Sequence, residues 1–195
     1  MGELPQVSLF KEPKHIGRVR RLQRRYRGGH DLLLGEIFMA MNVIIRNARF
    51  EDLDALTALL RELFSIEADF AIDEQRQRRG FTLMLDGCSR HRCIKVAKIK
   101  GKVIGMCTAQ KLISTGEGGI VTLVEDVVVN VRFRGQEIGR KLMASIEDWA
   151  ISHGATRMQL LADRTNFSAL DFYDKIGWYP TQLICLRHQC KGNCS

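Results

Sequence analysis

The most constraining feature of the sequence is a β-branched segment that leads, through a basic turn containing glycine, directly into an amphipathic helix. Residues 120–131 have the composition of a strand, and apolar residues at helical spacing predict a helix over 136–153. The turn between them contains Arg134 and Gly135. Such a junction directs unpaired backbone amides and the positive end of a helix dipole toward one point. The segment therefore favours binding of a diphosphate.

The remaining pattern predicts a single α/β domain, because 195 residues suffice for one domain and a tail. The other predicted strands are 43–45, 93–99, 103–113, 158–161 and 178–186, and the other predicted helices are 51–64, 73–85 and 167–176. The predicted order is therefore β-α-α-β-β-β-α-β-α-β, a mixed α/β sheet with helices.

The formal net charge of +8 is concentrated at the ends of the chain. Residues 1–40 carry eight Lys and Arg residues against four Asp and Glu residues, a net +4. We interpret them as a disordered basic extension, or as translated leader with the natural start at Met39 or Met41. An arm that binds nucleic acid is less favoured, because the basic run has a single aromatic residue, Tyr26, and lacks a series of aromatic residues at stacking positions. The predicted division is this extension, a domain over 41–187 and a short cysteine-containing tail over 188–195.

No segment is long and apolar enough to span a bilayer, and six cysteines in 195 residues are too few for a disulfide framework. We therefore expect a cytoplasmic protein with reduced thiols. The C-terminal cluster of Cys185, His188, Cys190 and Cys194 matches no familiar zinc-knuckle spacing, so no metal is predicted. Stoichiometric zinc in the untagged protein would revive that alternative.

Two motifs resemble those of the GCN5-related N-acetyltransferase (GNAT) superfamily. Arg134-Gly135-Gln136-Glu137-Ile138-Gly139 resembles the family's acetyl-CoA loop, Arg/Gln-x-x-Gly-x-Gly/Ala, with Glu137 at the usual first glycine. Asn166-Phe167-Ser168-Ala169-Leu170-Asp171-Phe172-Tyr173-Asp174-Lys175-Ile176-Gly177-Trp178 resembles the family's Asn-x-x-Ala-x-x-Phe-Tyr-x-x-x-Gly-Phe segment. The resemblance covers about 43–186 and implies the GNAT fold, a mixed, mostly antiparallel central sheet flanked by helices.

The resemblance also implies an acetyl-CoA-dependent N-acetyltransferase that acts by direct attack of a primary amine in a ternary complex. Tyr173 would be the general acid for the departing thiolate. The implied cofactor-binding residues are Val127, Val128, Val129, Arg134, Gly135, Gln136, Glu137, Ile138, Gly139, Arg140 and Asn166. Dimers are frequent in the superfamily, so the resemblance also leaves a homodimer open.

The base is assigned to one of two adjacent carboxylates, Glu125 and Asp126, which resemble the Glu-Asp pair of spermidine/spermine acetyltransferases. In those enzymes the glutamate acts on the amine through water. Because side chains alternate along a strand, the two carboxylates should point to opposite faces, and we choose Glu125. Two alternatives stay open: Glu125 in a strand-end ion pair with an arginine, and proton removal by a chain of waters.

The position of Glu137 matters because a carboxylate about 6 Å from a phosphate charge costs nearly 3 kcal/mol at an effective dielectric of about 20. We therefore predict an outward side chain paired with Lys141, and a weakened but retained affinity for coenzyme A. The same residue supports a competing hypothesis. In that hypothesis the chain is a catalytically weak GNAT-fold module whose basic ends engage nucleic acid or an acidic partner.

Carboxylates of the first two helices and the loop between them suit a cationic, polyamine-like acceptor, or else form a solvated acidic face. They are Glu62, Glu67, Asp69, Asp73 and Glu74. A peptide amine is an alternative acceptor.

Overall fold

The computed structural model describes residues 42–65, 72–88 and 90–189. The predictions for the basic extension over 1–40 and for Glu67, Asp69, Cys190 and Cys194 lie outside these residues. The strands are β1 (Ile44–Asn47), β2 (Arg92–Ile99), β3 (Lys102–Ser114), β4 (Gly119–Val129) and β5 (Ala155–Leu160), and the helices are α1 (Leu53–Phe64), α2 (Glu74–Asp86), α3 (Ile138–Ser152) and α4 (Phe167–Lys175). Short 3-10 helices at Phe50–Asp52 and Val131–Phe133 precede α1 and follow β4.

Over the described ranges, the five strands form one mixed sheet in the order β1-β2-β3-β4-β5. The first three pairings are antiparallel and the pairing of β4 with β5 is parallel. Parallel neighbours require a crossover connection, and α3 provides it. The predicted mixed, mostly antiparallel sheet flanked by helices is confirmed for these elements.

The sheet is covered by helices on both faces, which we call the α1/α2 face and the α3/α4 face. On the first, Leu56 of α1 and Phe81 of α2 pack with Ile94 and Val96 of the sheet. On the second, residues of α3 such as Leu142 pack with Cys93, Ala97, Cys107 and Val124, and Phe172, Tyr173 and Ile176 of α4 pack against that cluster. Side-chain alternation along each strand supplies apolar residues to both faces.

The register between β3 and β4 breaks at a β-bulge in the middle of the sheet. Thr108 pairs with Glu125 and Met106 pairs with Val128, so a single residue of β3 faces two residues of β4. Within the bulge Asp126 has a φ of +50°, in the left-handed region. Bulges change the direction of side chains and often lie beside active sites.

The predicted final strand over 178–186 is wrong. These residues are described, and none of them belongs to a strand. Tyr179, Leu183 and Leu186 are 82%, 86% and 85% exposed, so their apolar character does not reflect burial. Pro180 also lacks the amide that a sheet ladder would use at that position.

Candidate active site

The turn between β4 and α3 has the backbone geometry of an anion-binding loop. Gly135 and Glu137 have φ angles of +75° and +59°, and α3 begins directly after them. The amide of Lys141 donates to the carbonyl of Glu137 at 3.0 Å, which starts the helical hydrogen-bond pattern. The three amides before it, at residues 138–140, therefore have no partner within the helix. They present the positive end of the α3 dipole to the turn.

The side chain of Glu137 points outward, as predicted, but its partner differs. It is 67% exposed, and its Oε2 accepts a 2.6 Å hydrogen bond from Nε of Arg140. We had predicted a pair with Lys141. Because Glu137 has a left-handed backbone and lies before the helix, the usual spacing of four residues between helical partners does not apply to it.

The turn is tied to α1 by Glu62. One carboxylate oxygen accepts hydrogen bonds from the Val131 amide at 2.8 Å and from Nη2 of Arg134 at 3.4 Å, and the other accepts from Nδ2 of Asn130 at 3.1 Å. Arg134 also donates from Nε to the Val129 carbonyl at 2.9 Å. The sequence predicts that Glu62 is one of the carboxylates suited to a cationic acceptor, whereas the structure places it against the turn. Glu62 and Arg134 are 72 positions apart in the sequence, so no local sequence signal predicts this contact.

The end of β4 offers a backbone edge toward β5. The parallel pairing of these two strands extends only to Val124 and Leu160, whereas β4 continues to Val129 beside β3. Val127 and Val129 pack toward the α3/α4 face, and Val128 is buried on the α1/α2 face. This edge is where we expected backbone groups to hold an acyl thioester and its pantetheine arm.

The two carboxylates of β4 lie on the same face of the sheet, so the prediction that they point to opposite faces is wrong. Thr108 donates to Oδ2 of Asp126 at 3.1 Å, and Gln110 donates to Oε2 of Glu125 at 3.1 Å. Thr108 and Gln110 are two residues apart on β3 and share a face. The bulge gives β4 one extra residue opposite β3 at Asp126 and Val127, and the alternation of side chains fails there.

Glu125 and Asp126 both line a cavity of about 830 Å³ between the sheet and helices α1 and α2. Leu60 and Phe64 of α1 and Phe81 of α2 form its apolar part. The rest of its lining is largely polar or charged, and a pocket in which apolar side chains meet converging polar groups is the usual form of a small-molecule site.

Helix α4 carries the second motif. Asn166 caps it, because Oδ1 of Asn166 accepts from the Ala169 amide at 3.1 Å. The ring of Tyr173 lies against Phe172 and Trp178, with centroid distances of 5.3 and 6.2 Å. A Cβ on Gly139 would lie 3.1 Å from the Phe172 ring, so this glycine allows α3 and α4 to approach closely. Tyr173 thus lies on the α3/α4 face, opposite the face that carries Glu125.

A model of the Acetyltransferase (GNAT) family matches residues 53–178. The chain belongs to this family. It is 30% identical over 134 residues to the aminoalkylphosphonate N-acetyltransferase of Salmonella typhimurium, covering 69% of this chain and 83% of that protein. It is 27% identical over 145 residues to the thialysine N-epsilon-acetyltransferase of Bos taurus, again covering 69% and 83%. An aminoglycoside N-acetyltransferase solved in complex with CoA matches with a TM-score of 0.65 at 18% identity, over 76% of this chain and 96% of that chain, which shows the shared fold.

The chain is therefore an N-acetyltransferase of the GNAT type, as the two motifs predicted. Two cysteines of this acetyltransferase lie in the sheet, and Cys107 faces the bulge of β4. Burial raises the pKa of the Cys107 thiol well above its usual range, and it raises that of Cys93 to about 12. Both thiols therefore stay protonated at neutral pH and are poor nucleophiles.

Two kinds of feature are absent from the described residues of the acetyltransferase. No cluster of three or more His, Cys, Asp or Glu side chains there could hold a metal ion. None of its described helices is both long and apolar enough to cross a bilayer.

Proposed function

We propose that the protein transfers the acetyl group of acetyl-CoA to a primary amine by direct attack in a ternary complex. The observation that carries this proposal is the turn before α3, where two consecutive features favour a diphosphate. The left-handed residues Gly135 and Glu137 direct the chain into the helix, and the first helical amides are left for an anion. In this proposal residues 134–140 bind the diphosphate, mainly through the backbone.

The acyl end of the donor would lie along the open edge of β4. Amides near Val127 to Val129 can donate to the thioester carbonyl and stabilise the oxyanion of the tetrahedral intermediate. The side chain of Asn166 already caps α4, and its Nδ2 group can still donate to the pantetheine arm. The pantetheine arm would then contact both β4 and α4. This contact would account for the position of the second motif on α4, on the same face of the sheet as Val127 and Val129.

Glu125 would accept the proton of the acceptor ammonium, directly or through water. The bulge places Asp126 beside it, so the cavity presents two carboxylates to an incoming amine. An amine with a pKa near 10 is mostly charged at neutral pH and must lose a proton before attack. Glu125 alone was chosen from the sequence. The shared face makes Asp126 a second carboxylate that orients the amine.

The reaction then balances without a covalent enzyme intermediate. The amine lone pair attacks the thioester carbonyl carbon, and the carbon–sulfur bond breaks as the amide forms. One ammonium proton passes to Glu125 before the attack. Tyr173 protonates the departing thiolate, and the second proton, which the nitrogen loses as the amide forms, returns through water to the Tyr173 phenolate. A phenol has a pKa near 10 and a thiol has a pKa near 8.5, so proton transfer from Tyr173 to the thiolate is mildly uphill. The rate enhancement by Tyr173 must therefore come mainly from holding its hydroxyl close to the sulfur. The protonated Cys107 thiol argues against an acyl-cysteine route.

The decisive experiment is thiol release from acetyl-CoA with a panel of amines, for the native chain and for Tyr173→Phe. We expect kcat to fall by about 100-fold or more in this variant, with little change in the KM for acetyl-CoA, because only proton transfer is lost. Tyr179→Phe is the matched control, since this tyrosine is 82% exposed. An unchanged kcat in Tyr173→Phe would remove the assigned acid. Absence of thiol release with every amine would remove the proposed activity.

A further inference from the structure

The acceptor cavity contains a buried polar side chain that the proposed chemistry does not use. Gln77 of α2 is 8% exposed and lines this cavity. Neither Nε2 nor Oε1 of its amide has a hydrogen-bond partner among the described residues. Around it lie apolar groups such as Phe81 and Leu60. Burial of an unsatisfied amide is costly, so Gln77 is suited to a hydrogen bond with a bound molecule.

The charged groups of the cavity favour an anion at some distance from the two carboxylates. Among the described lining residues, Arg76, Arg92 and Arg187 supply three guanidinium groups against Glu125 and Asp126. Arg92 is the cross-strand partner of Gln110, which in turn donates to Glu125. The floor of the cavity therefore carries Arg92 on β2 and the two carboxylates on β4, with β3 between them and neighbouring strands about 5 Å apart.

The three carboxylates that suggest a polycation and lie within the described residues are engaged elsewhere. Glu62 contacts the turn before α3, and Asp73 caps α2 by accepting from the Arg76 amide at 3.0 Å. Glu74 accepts from Arg61 at 2.7 Å and from Arg78 at 3.2 Å. None of these three lines the cavity. A dication would thus meet Glu125 and Asp126 at one end and arginines at the other.

From these contacts we propose that the acceptor is a small amine that also carries an anionic group, a carboxylate or a phosphonate. Its amine faces Glu125 and Asp126, and its anion is bound by Nε2 of Gln77 together with the guanidinium groups of Arg76 and Arg92. The assignment rests on the proposed acetyl transfer. It adds the chemical class of the acceptor and makes Gln77 a specificity-determining residue.

The test compares four short primary amines in acetyl-CoA-dependent thiol release: β-alanine, 2-aminoethylphosphonate, propylamine and 1,3-diaminopropane. The first two carry an anion, the third is uncharged beyond its amine, and the fourth is a dication. We expect kcat/KM for at least one anionic amine to exceed that for propylamine and for the diamine by about tenfold or more, the factor expected for a hydrogen bond to a charged group. The better of the two anionic amines identifies carboxylate or phosphonate.

Gln77→Leu then tests the assigned residue, with Gln75→Leu as the matched control on the exposed side of the same helix. Gln77→Leu should raise the KM for the preferred anionic amine about tenfold more than it raises the KM for propylamine, which has no anionic group for Gln77 to bind. Its melting temperature should not fall, because leucine removes an unsatisfied buried amide. Arg76→Gln changes a side chain that is 81% exposed, so it reports on anion binding even if Gln77→Leu is poorly folded.

The outcomes separate the two proposals. Equal or faster turnover of propylamine or the diamine overturns the anionic acceptor and leaves acetyl transfer intact. Unchanged KM values in both Gln77→Leu and Arg76→Gln overturn the assigned residues. If neither the four amines nor a wider panel supports thiol release, the proposed function is overturned. The proposed acceptor class is then overturned with it.

Discussion

In the turn before α3, Glu137 holds a left-handed backbone conformation at the position where the family pattern has glycine. The left-handed conformation costs a residue with a Cβ about 1–2 kcal/mol, and a glycine at this position would avoid that cost. The greater flexibility of glycine in the unfolded chain offsets part of the resulting gain in stability. We therefore expect Glu137→Gly to raise the free energy of unfolding by about 1 kcal/mol, measured by thermal or denaturant unfolding. Removing the carboxylate should also tighten acetyl-CoA binding about fivefold in calorimetry.

Glu137→Gln separates the two effects, because it removes the charge and keeps the Cβ in the left-handed conformation. This control should bind acetyl-CoA more tightly than the native chain with no gain in stability. If neither substitution changes the dissociation constant for acetyl-CoA, the Glu137 carboxylate does not affect binding of the cofactor. If Glu137→Gly does not stabilise the protein, the left-handed conformation carries no cost there.

The two carboxylates of β4 show where residue-level prediction from sequence stops. Their presence at the end of a strand before the turn was evident from the sequence, and so was their chemistry. Their shared face was not, because it depends on a bulge at Asp126. Aspartate tolerates the left-handed region better than most residues, so no glycine is needed to make the bulge. The family resemblance implies a bulge near Val127 to Val129, but it does not show that the bulge brings the two carboxylates to one face.

Among the secondary-structure elements, α1 and the turn are linked by Glu62, which connects them through Asn130, Val131 and Arg134. Replacing Glu62 with alanine removes an acceptor from the Val131 amide and frees the turn from α1. We expect the KM for acetyl-CoA to rise about five- to tenfold, with kcat changed by less than about twofold, because a hydrogen bond to a partly exposed charge is worth about 1 kcal/mol. Steady-state kinetics with varied acetyl-CoA measures both values.

Glu147→Ala is the control for this substitution, since Glu147 is an exposed glutamate of α3. It should leave both parameters unchanged. Tighter binding of acetyl-CoA to Glu62→Ala would contradict the positioning role. It would show instead that the carboxylate competes with the diphosphate for Arg134.

Helices and strands were predictable wherever apolar residues recur at the spacing of a buried face, which is about 3.6 residues for a helix and 2 for a strand. The predicted strand at 120–131 and helix at 136–153 differ from β4 and α3 by no more than two residues at each end. The segment at 178–186 is equally apolar, but it forms no strand, and only Trp178 packs against the core while residues 179–186 stay exposed. A strand requires a neighbouring strand to pair with, in addition to an apolar, β-branched composition. The sequence alone does not show whether such a neighbour is available.

For the molecule as a whole, the fold was predictable because two motifs, about 30 residues apart, lie in elements that cover one face of the sheet. Apolar residues from both faces of each strand then require helices on both sides. The cavity was not predictable in the same way. Its lining brings α1, α2, three strands and the C-terminal segment together, and no local pattern encodes which of their side chains meet.

The basic extension over 1–40 supplies none of the proposed site residues, and the family match begins at residue 53. We therefore expect a chain that starts at Met41 to keep the kcat/KM and melting temperature of the full chain. Any salt-dependent retention on immobilised DNA should disappear with the extension, because it carries a net charge of +4. The measurement pairs amine acetylation with elution from DNA at increasing salt.

A full-length variant with Arg20, Arg21, Arg24 and Arg25 replaced by glutamine separates charge from length. It should elute from DNA as the shortened chain does while its acetylation rate stays at the native value, because counterion release depends on the number of cations in contact with phosphate. Loss of acetylation in the shortened chain but not in this variant would mean that the extension contributes to the acetyltransferase domain. Retention of both proteins on DNA would place the nucleic-acid contact within residues 41–195.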